Sequence, residues 1–404
     1  MDNNNLVADV PFLDFSDPHF SIRSEAVKQA QDAGWYARTP YGLAVLRYDE
    51  VNALIRDQRL RQGSYAWPKH CSATGSFADW WMRMLLSKEG PNHSRLRRLA
   101  NPAFSPKLVR SMQPVFFQLA NDLINGFADK GECEFVADFA APYATQVICS
   151  LLGIPLTEAK RLAELAVDMG VALGVTYNRD QNLVNGATDE MFEYCYDAVR
   201  RLKADGLGDN FLSMLVKANE DQNDLSDEEL FDMMVLAIFG GIDTTRNQLS
   251  LAMDTFVQNP QQWRILGEQP DLAANAVEEI MRFRPTVTWV TREALEDFEF
   301  QGVAIAQGTT VHLISQAADN DPRAFGDVSF DITAKRKAHF GFGAGAHHCI
   351  GHFIARGDMK EALALLAQRI QNVEYQGEPS YMPDSGNTGL NHLNMRFDVV
   401  EAAI

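Results

Sequence analysis

The chain has 404 residues, of which 46% are hydrophobic and 22% charged, with 27 glycines and 16 prolines. That composition permits a large buried core and excludes collagen-like, coiled-coil and wholly disordered architectures. Thirty-six Lys and Arg against 54 Asp and Glu leave a net charge of −18, which argues against binding nucleic acid or an anionic membrane through overall charge.

In chain order, residues 1–20 are polar and carry Pro11 and Pro18, so they read as an arm, and residues 21–404 read as one continuous domain. The N-terminus, MDNNNLVADVPF, lacks the positive start and apolar stretch of a secretory signal, and no apolar run is long enough to span a bilayer. A cytoplasmic protein without a membrane anchor is therefore expected. A helical pattern from Ser21 leads to Trp35, a turn at Pro40-Tyr41-Gly42 and the apolar run 43–46, which together predict a hairpin. Residues 63–90 hold Trp67, Phe77, Trp80, Trp81, Met82 and Met84 among Gly and Ser, a loop-rich aromatic segment suited to lining a cavity. Helical patterns cover about 107–129, 135–152, 157–175, 189–204, 226–258, 261–267 and 271–283, without internal repeats. A β-rich interval at 286–314 and a β-like region at 389–399 follow. The expected fold is mainly α with a smaller β-rich region.

Five scattered cysteines, Cys71, Cys133, Cys149, Cys195 and Cys349, argue against a disulfide framework. Cys349 stands apart. It follows Phe342-Gly343-Ala344-Gly345-Ala346-His347-His348 and precedes Ile350-Gly351 and a helical pattern with Phe353, Ile354, Met359, Leu363 and Leu366. Free N–H groups and the positive dipole end at such a helix entrance favour thiolate, and the glycines let backbone wrap close to whatever the sulfur binds. Two other readings fit this segment taken alone: a small buried apolar residue, or a zinc ligand flanked by His348 and His352.

The segment resembles the haem-binding loop of the cytochrome P-450 family, in which Phe, Gly, Gly, His, Cys and Gly fall where Phe342, Gly343, Gly345, His347, Cys349 and Gly351 stand; Ala355-Arg356 extends the match. The resemblance implies that haem b (iron protoporphyrin IX) lies between a long central helix and the cysteine-bearing helix. Cys349 is then the axial ligand, Phe342 packs beside the sulfur and His347 reaches a propionate. Thiolate donation of this kind favours O–O cleavage.

Leu225-Ser226-Asp227-Glu228-Glu229-Leu230 is a capping box with a hydrophobic staple, and nothing stops the helix it starts until Asn259-Pro260. Its middle carries Gly240 and Gly241, which cost roughly 2 kcal/mol relative to alanine. Either the helix opens locally around a small ligand, with Asp243 and Thr244 supplying acid and hydroxyl, or there are two helices, the second capped near Asp243 or Thr245. Gly241-Ile242-Asp243-Thr244 is similar to the family's oxygen-activating signature, which implies that Thr244 hydrogen-bonds dioxygen and Asp243 relays protons.

Glu279 and Arg282 share a helix face ahead of Pro285 and can pair, on the surface or buried. With Phe283-Arg284-Pro285 they resemble the family's Glu-x-x-Arg structural lock. The Arg that commonly completes that lock is Ala334 here, leaving Lys335 or Arg336 to substitute. His93, Arg97 and Arg292 match family positions that bind haem propionates. Arg95, Arg98, Lys107, Arg110 and the 335–337 cluster would form a positive island for an acidic electron-transfer partner.

The resemblance therefore implies a monomeric haem-thiolate monooxygenase that receives two electrons from a ferredoxin and its NAD(P)H-dependent reductase. It would activate O₂ and hydroxylate or epoxidise a small to medium hydrophobic substrate. The implied pocket draws on Trp67, Phe77, Trp80, Trp81 and Met84, residues 169–177, Val235, Phe239 and Gly240 within 235–240, Val287 and Trp289 within 286–290, and Leu390 within 390–393. Two alternatives stay open: a peroxide-driven haem enzyme of the same fold, and a non-catalytic haem or small-ligand binding protein.

Overall fold

The computed structural model describes residues 10–17, 19–173, 177–208, 210–220 and 225–400. Helices form most of it, and the helix Asp227–Gln258 runs through the core. Its start follows from the sequence: Ser226 Oγ accepts from Glu229 N–H at 3.2 Å and Glu229 Oε2 accepts from Ser226 N–H at 3.0 Å. Three acidic residues in the first turn complement the dipole, and Pro260 stops the helix. It is α-helical at every residue, which excludes the two-helix reading and shows no local opening at Gly240 and Gly241 either.

The two central glycines have different causes. A Cβ on Gly241 would lie 2.4 Å from Ile148 Cδ1, so this glycine lets the helix Ala141–Leu152 pack against its backbone. A Cβ on Gly240 would meet only Leu236, at 3.8 Å, and would project into the cavity described below. Gly241→Ala is accordingly expected to lower stability by about 1–3 kcal/mol through overpacking. Gly240→Ala should leave stability unchanged or raised by up to about 1 kcal/mol. Urea denaturation of the two variants checks the contrast.

Five strands make the main sheet, in the order Tyr36–Thr39, Gly42–Val45, Thr310–Leu313, Val290–Ala294 and Leu60–Gln62. The predicted hairpin is its first pair, with Tyr36 opposite Val45 and Thr39 opposite Gly42. The next two strands come from the β-rich interval, and their register sets Thr291 opposite His312 and Arg292 opposite Val311. The chain's end adds Asn394–Val399 to a smaller sheet.

Three departures from the sequence reading bear on the site. Residues 76–83 form a helix whose first N–H groups are capped from a distant element: Phe77 N–H donates to Asn185 Oδ1 at 3.1 Å, a contact with no local signature. The helix predicted from 189 starts at Tyr177, its period masked by a polar run and Gly186. The arm is packed as far as it is described: Leu13 N–H donates to the Arg38 carbonyl at 2.9 Å, and Leu13 and Phe15 are buried. Residues 1–9 and Pro18 lie outside the described residues. No described helix is long and apolar enough to cross a membrane.

Candidate active site

The cysteine loop is shaped by backbone. Gly343 and Gly345 have φ of 66° and 71°, a left-handed conformation that side chains disfavour. Between them and the helix His352–Arg369, Gly343 N–H donates to the Phe340 carbonyl at 2.7 Å and Cys349 N–H to the Phe342 carbonyl at 2.9 Å. Burial pushes the Cys349 thiol up, and N–H groups of Gly351 and His352 together with Arg97 and Arg356 offset only part of that. The helix entrance alone therefore does not secure the expected thiolate; a coordinated metal cation would, because it displaces the thiol proton outright. The His348 and His352 rings lie 4.5 Å apart, but no group of three His, Cys, Asp or Glu among the described residues is placed to hold a metal ion, which removes the zinc reading.

One helix, Ala273–Phe283, grips this loop from both ends. Glu278 takes Arg356 at 2.5 Å and His339 at 3.1 Å; burial pushes its carboxyl up, but these partners hold it at about 2. Next to it, the fully buried Glu279 and Arg282 meet through two 2.8 Å hydrogen bonds, so the pair is not a surface one. Arg336 completes the lock at 3.3 Å from Glu279, in place of the missing Arg at 334. Arg282 also donates to the Asp319 carbonyl at 2.9 Å, and the Asp319 carboxyl receives the Phe340 N–H at 2.9 Å. The lock is thereby tied to the residue that begins the loop.

Cys349 borders a cavity of about 660 Å³ between the two helices, with Gly240, Gly241 and Thr244 from one and Ile354 and Ala355 from the other. Phe342, Gly343, His347, Gly351, His93, Arg97 and Arg292 also border it, so every expected cofactor-binding residue faces one space. The His93 and His347 rings are 4.3 Å apart; His347 Nε2 lies 3.2 Å from Glu89, and its Nδ1 has no partner among the described residues. Burial, with His347 and Arg97 nearby, drives His93 down to about 4. Arg292 donates to Gln62 Oε1 and the Thr291 carbonyl, Arg97 to the His348 carbonyl at 2.8 Å, and neither has a carboxylate within ion-pair distance among the described residues. Burial lowers Arg292 to about 10. A buried cation such as Arg292 held by neutral groups alone is costly, and the two carboxylates of haem would supply countercharge to it and to the half-buried Arg97. The residues present fit haem.

Thr244 donates to the Gly240 carbonyl at 2.6 Å. Asp243 is buried and does not border the cavity; its carboxylate accepts from Arg246 at 3.0 Å, Asn247 at 3.2 Å and Asn387 at 2.6 Å. Acid and hydroxyl are thus adjacent in sequence but differently placed, and Asn387, which does border the cavity, connects the two environments.

Of the expected pocket residues, Trp67, Trp81, Met84, Leu173, Tyr177, Phe239, Gly240, Val287 and Trp289 border the cavity. Trp80 does not: its indole N–H points to the Asp232 carbonyl, 3.4 Å away, and Phe77 packs edge-on against it. Val235 lies in the helix core, whereas Leu236 and Ala237 of the same expected stretch border the cavity, and Leu390 gives way to residues 385–387. Met169 is also core, and 174–176 lie outside the described residues. Phe15, Ser16, Tyr41, His70 and His312 border the cavity without having been expected. Of the residues expected to form a positive island, Arg95 is bound to Glu229 of the capping box and Arg336 to Glu279, while Arg98, Lys107, Arg110, Lys335 and Lys337 are exposed.

Residues 171–393 match the family model described as Cytochrome P450 (P-450). The chain is 38% identical to luteothin monooxygenase of Streptomyces thioluteus, across 96% of this chain and 97% of the relative. It is 31% identical to the mycinamicin IV hydroxylase/epoxidase of Micromonospora griseorubida, across 83% and 84%. Among solved structures, CalO2 superposes with a TM-score of 0.86 at 27% identity, covering 94% of this chain and 98% of that one. The mycinamicin VIII C21 methyl hydroxylase from Micromonospora griseorubida gives 0.83 at 26%, covering 92% and 96%.

Proposed function

The chain belongs to the cytochrome P-450 family and is a monooxygenase of it, and on that premise we propose that it hydroxylates or epoxidises a small to medium hydrophobic substrate, using haem b and two electrons delivered by a ferredoxin and its NAD(P)H-dependent reductase. The observation that carries this reading is the single cavity bordered at once by Cys349, by Arg97 and Arg292, by Thr244 and by a largely apolar wall. Bound haem supplies the activation of dioxygen. Cys349 Sγ would hold it, Arg97 and Arg292 would neutralise its carboxylates, and His93 and His347 would hydrogen-bond them.

Thr244 keeps its hydroxyl at the cavity wall. Asp243 relays protons behind it: when its carboxylate releases one of the donors on Arg246, Asn247 and Asn387, it takes up a proton from solvent and passes it toward Thr244 Oγ1. The apolar wall orients the substrate and excludes bulk water, which keeps proton delivery on this route. An acidic ferredoxin suits the exposed Arg98, Lys107, Arg110, Lys335 and Lys337 on a chain of net charge −18.

Reconstitution with a ferredoxin, its reductase and NADPH tests the reading: product should form with one O₂ consumed per turnover, and peroxide alone should support much less. Equal turnover with peroxide would favour the peroxide-driven alternative. Thr244→Ala is expected to cut product formed per NADPH by about tenfold or more while reductant consumption continues. Unchanged coupling would remove the proton-relay role.

A further inference from the structure

Resting on the reading of Asp243 as the proton relay, we propose that Asn387 is a positioning residue for that relay: its amide holds the Asp243 carboxylate away from Thr244, and it is the donor that the carboxylate gives up in order to work. Three donors hold the carboxylate, Arg246 at 3.0 Å on Oδ1, and Asn247 at 3.2 Å and Asn387 at 2.6 Å on Oδ2. Arg246 and Asn247 stand three and four residues further along the same helix, so they travel with Asp243 and keep it against the helix. Asn387 comes from a loop 144 positions away and is the only one of the three that borders the cavity with Thr244. It is therefore the donor that lies between the carboxylate and the cavity.

Backbone pairing sets this amide in place. Val287 and Asn387 form an antiparallel bridge, the Thr388 N–H donates to the Thr286 carbonyl at 2.8 Å, and the Thr288 N–H donates to the Gly386 carbonyl at 3.2 Å. On the helix side, a Cβ on Gly389 would lie 2.4 Å from Asn247 Oδ1, so a glycine there lets the loop lie this close. Thr286 Oγ1 lies 2.8 Å from Asn387 Oδ1, and a carboxylate only accepts, so the amide is fixed with Nδ2 on Asp243. Breaking this one bond does two things at once. It raises the carboxylate's affinity for a proton, because a donor that stabilised the anion has gone, and it frees Oδ2 to turn toward Thr244 Oγ1. Asp243 then takes one proton from solvent and gives one to Thr244 Oγ1, the hydroxyl releases its own into the cavity, and the carboxylate returns to Asn387 as an anion.

NADPH oxidation by the holoprotein with a ferredoxin and its reductase, without added substrate and in both H₂O and D₂O, tests this. Asn387→Ala is expected to oxidise NADPH about fivefold faster than the wild type, the factor that one hydrogen bond is worth. Its solvent isotope effect should be smaller, because proton delivery then limits the rate less. Thr286→Val, which removes the hydroxyl that fixes the amide, should act in the same direction to a lesser degree, and it decides the matter if Asn387→Ala does not fold. Neither substitution should change the rate in an Asp243→Asn background, where a purely structural fault would still act. A crystal structure of Asn387→Ala should show a second position of the Asp243 carboxylate, nearer Thr244. An unchanged rate or isotope effect, an increase that persists without Asp243, or a carboxylate found only on Arg246 and Asn247 overturns the proposal. If Asp243→Asn alone leaves NADPH oxidation unchanged, the relay reading falls and this inference with it, whereas a slowed Asp243→Asn beside an unaltered Asn387→Ala removes only Asn387.

Discussion

Cys349→Ala is expected to fold, to melt within a few degrees of the parent, and to lose monooxygenase turnover completely. The loop's shape does not depend on the sulfur. It is held by the Cys349 N–H on the Phe342 carbonyl, the Gly343 N–H on the Phe340 carbonyl, the left-handed glycines and the Glu278 contacts to His339 and Arg356. Because the side chain borders a cavity, removing one atom from it costs about 1 kcal/mol or less, below the range for truncations in a closed core. What disappears is the only cysteine sulfur facing the site apart from Cys71, whose thiol is bonded to the Trp67 carbonyl and pushed up to about 11 by burial. The readout is twofold: product formation, and the strongly red-shifted Soret band that thiolate ligation gives the reduced, carbon monoxide-treated protein. Persistence of that band in the variant would remove Cys349 as the ligand.

Glu279→Ala is expected to be the most damaging substitution for the fold itself. It leaves the fully buried Arg282 without its carboxylate, deprives Arg336 of the same partner and orphans the Asp331 N–H that Glu279 accepts at 3.0 Å. Stranding a buried charge costs about 3–5 kcal/mol, a large share of a typical total stability of roughly 5–15 kcal/mol. Little soluble protein should accumulate, and any that does should unfold at much lower urea. Arg336→Ala is the calibrating comparison: its side chain is partly exposed and its contact is longer, so about 1 kcal/mol is expected. Equal losses in the two variants would mean that burial of the Glu279–Arg282 pair does not set the energy.

Much of the cofactor end was legible because its residues are contiguous. Phe342, the glycines, His347 and Cys349 fall within ten consecutive positions, and the capping box at Ser226 and the Pro at 260 bracket the central helix locally. The substrate end was legible only in outline. Trp80 and Trp81 are neighbours pointing about 100° apart on a helix, as are Val235 and Leu236, and aromatic content alone does not choose which one turns inward. Asn387, Phe15 and His312 reach the site through long-range strand and loop packing that no local pattern encodes. The two carboxylates at 278 and 279 illustrate the same limit: the spacing to Arg282 pointed to Glu279, whereas Glu278 acts on residues some sixty and eighty positions away.

The packing of Phe15 and Ser16 into the cavity wall has a practical side. The stretch ahead of the first helix is part of the binding surface, so affinity handles that displace it, or trimming into it, are expected to alter ligand selectivity. Fusion at the opposite terminus, beyond the strand Asn394–Val399 at the middle of its small sheet, leaves the cavity's own lining untouched.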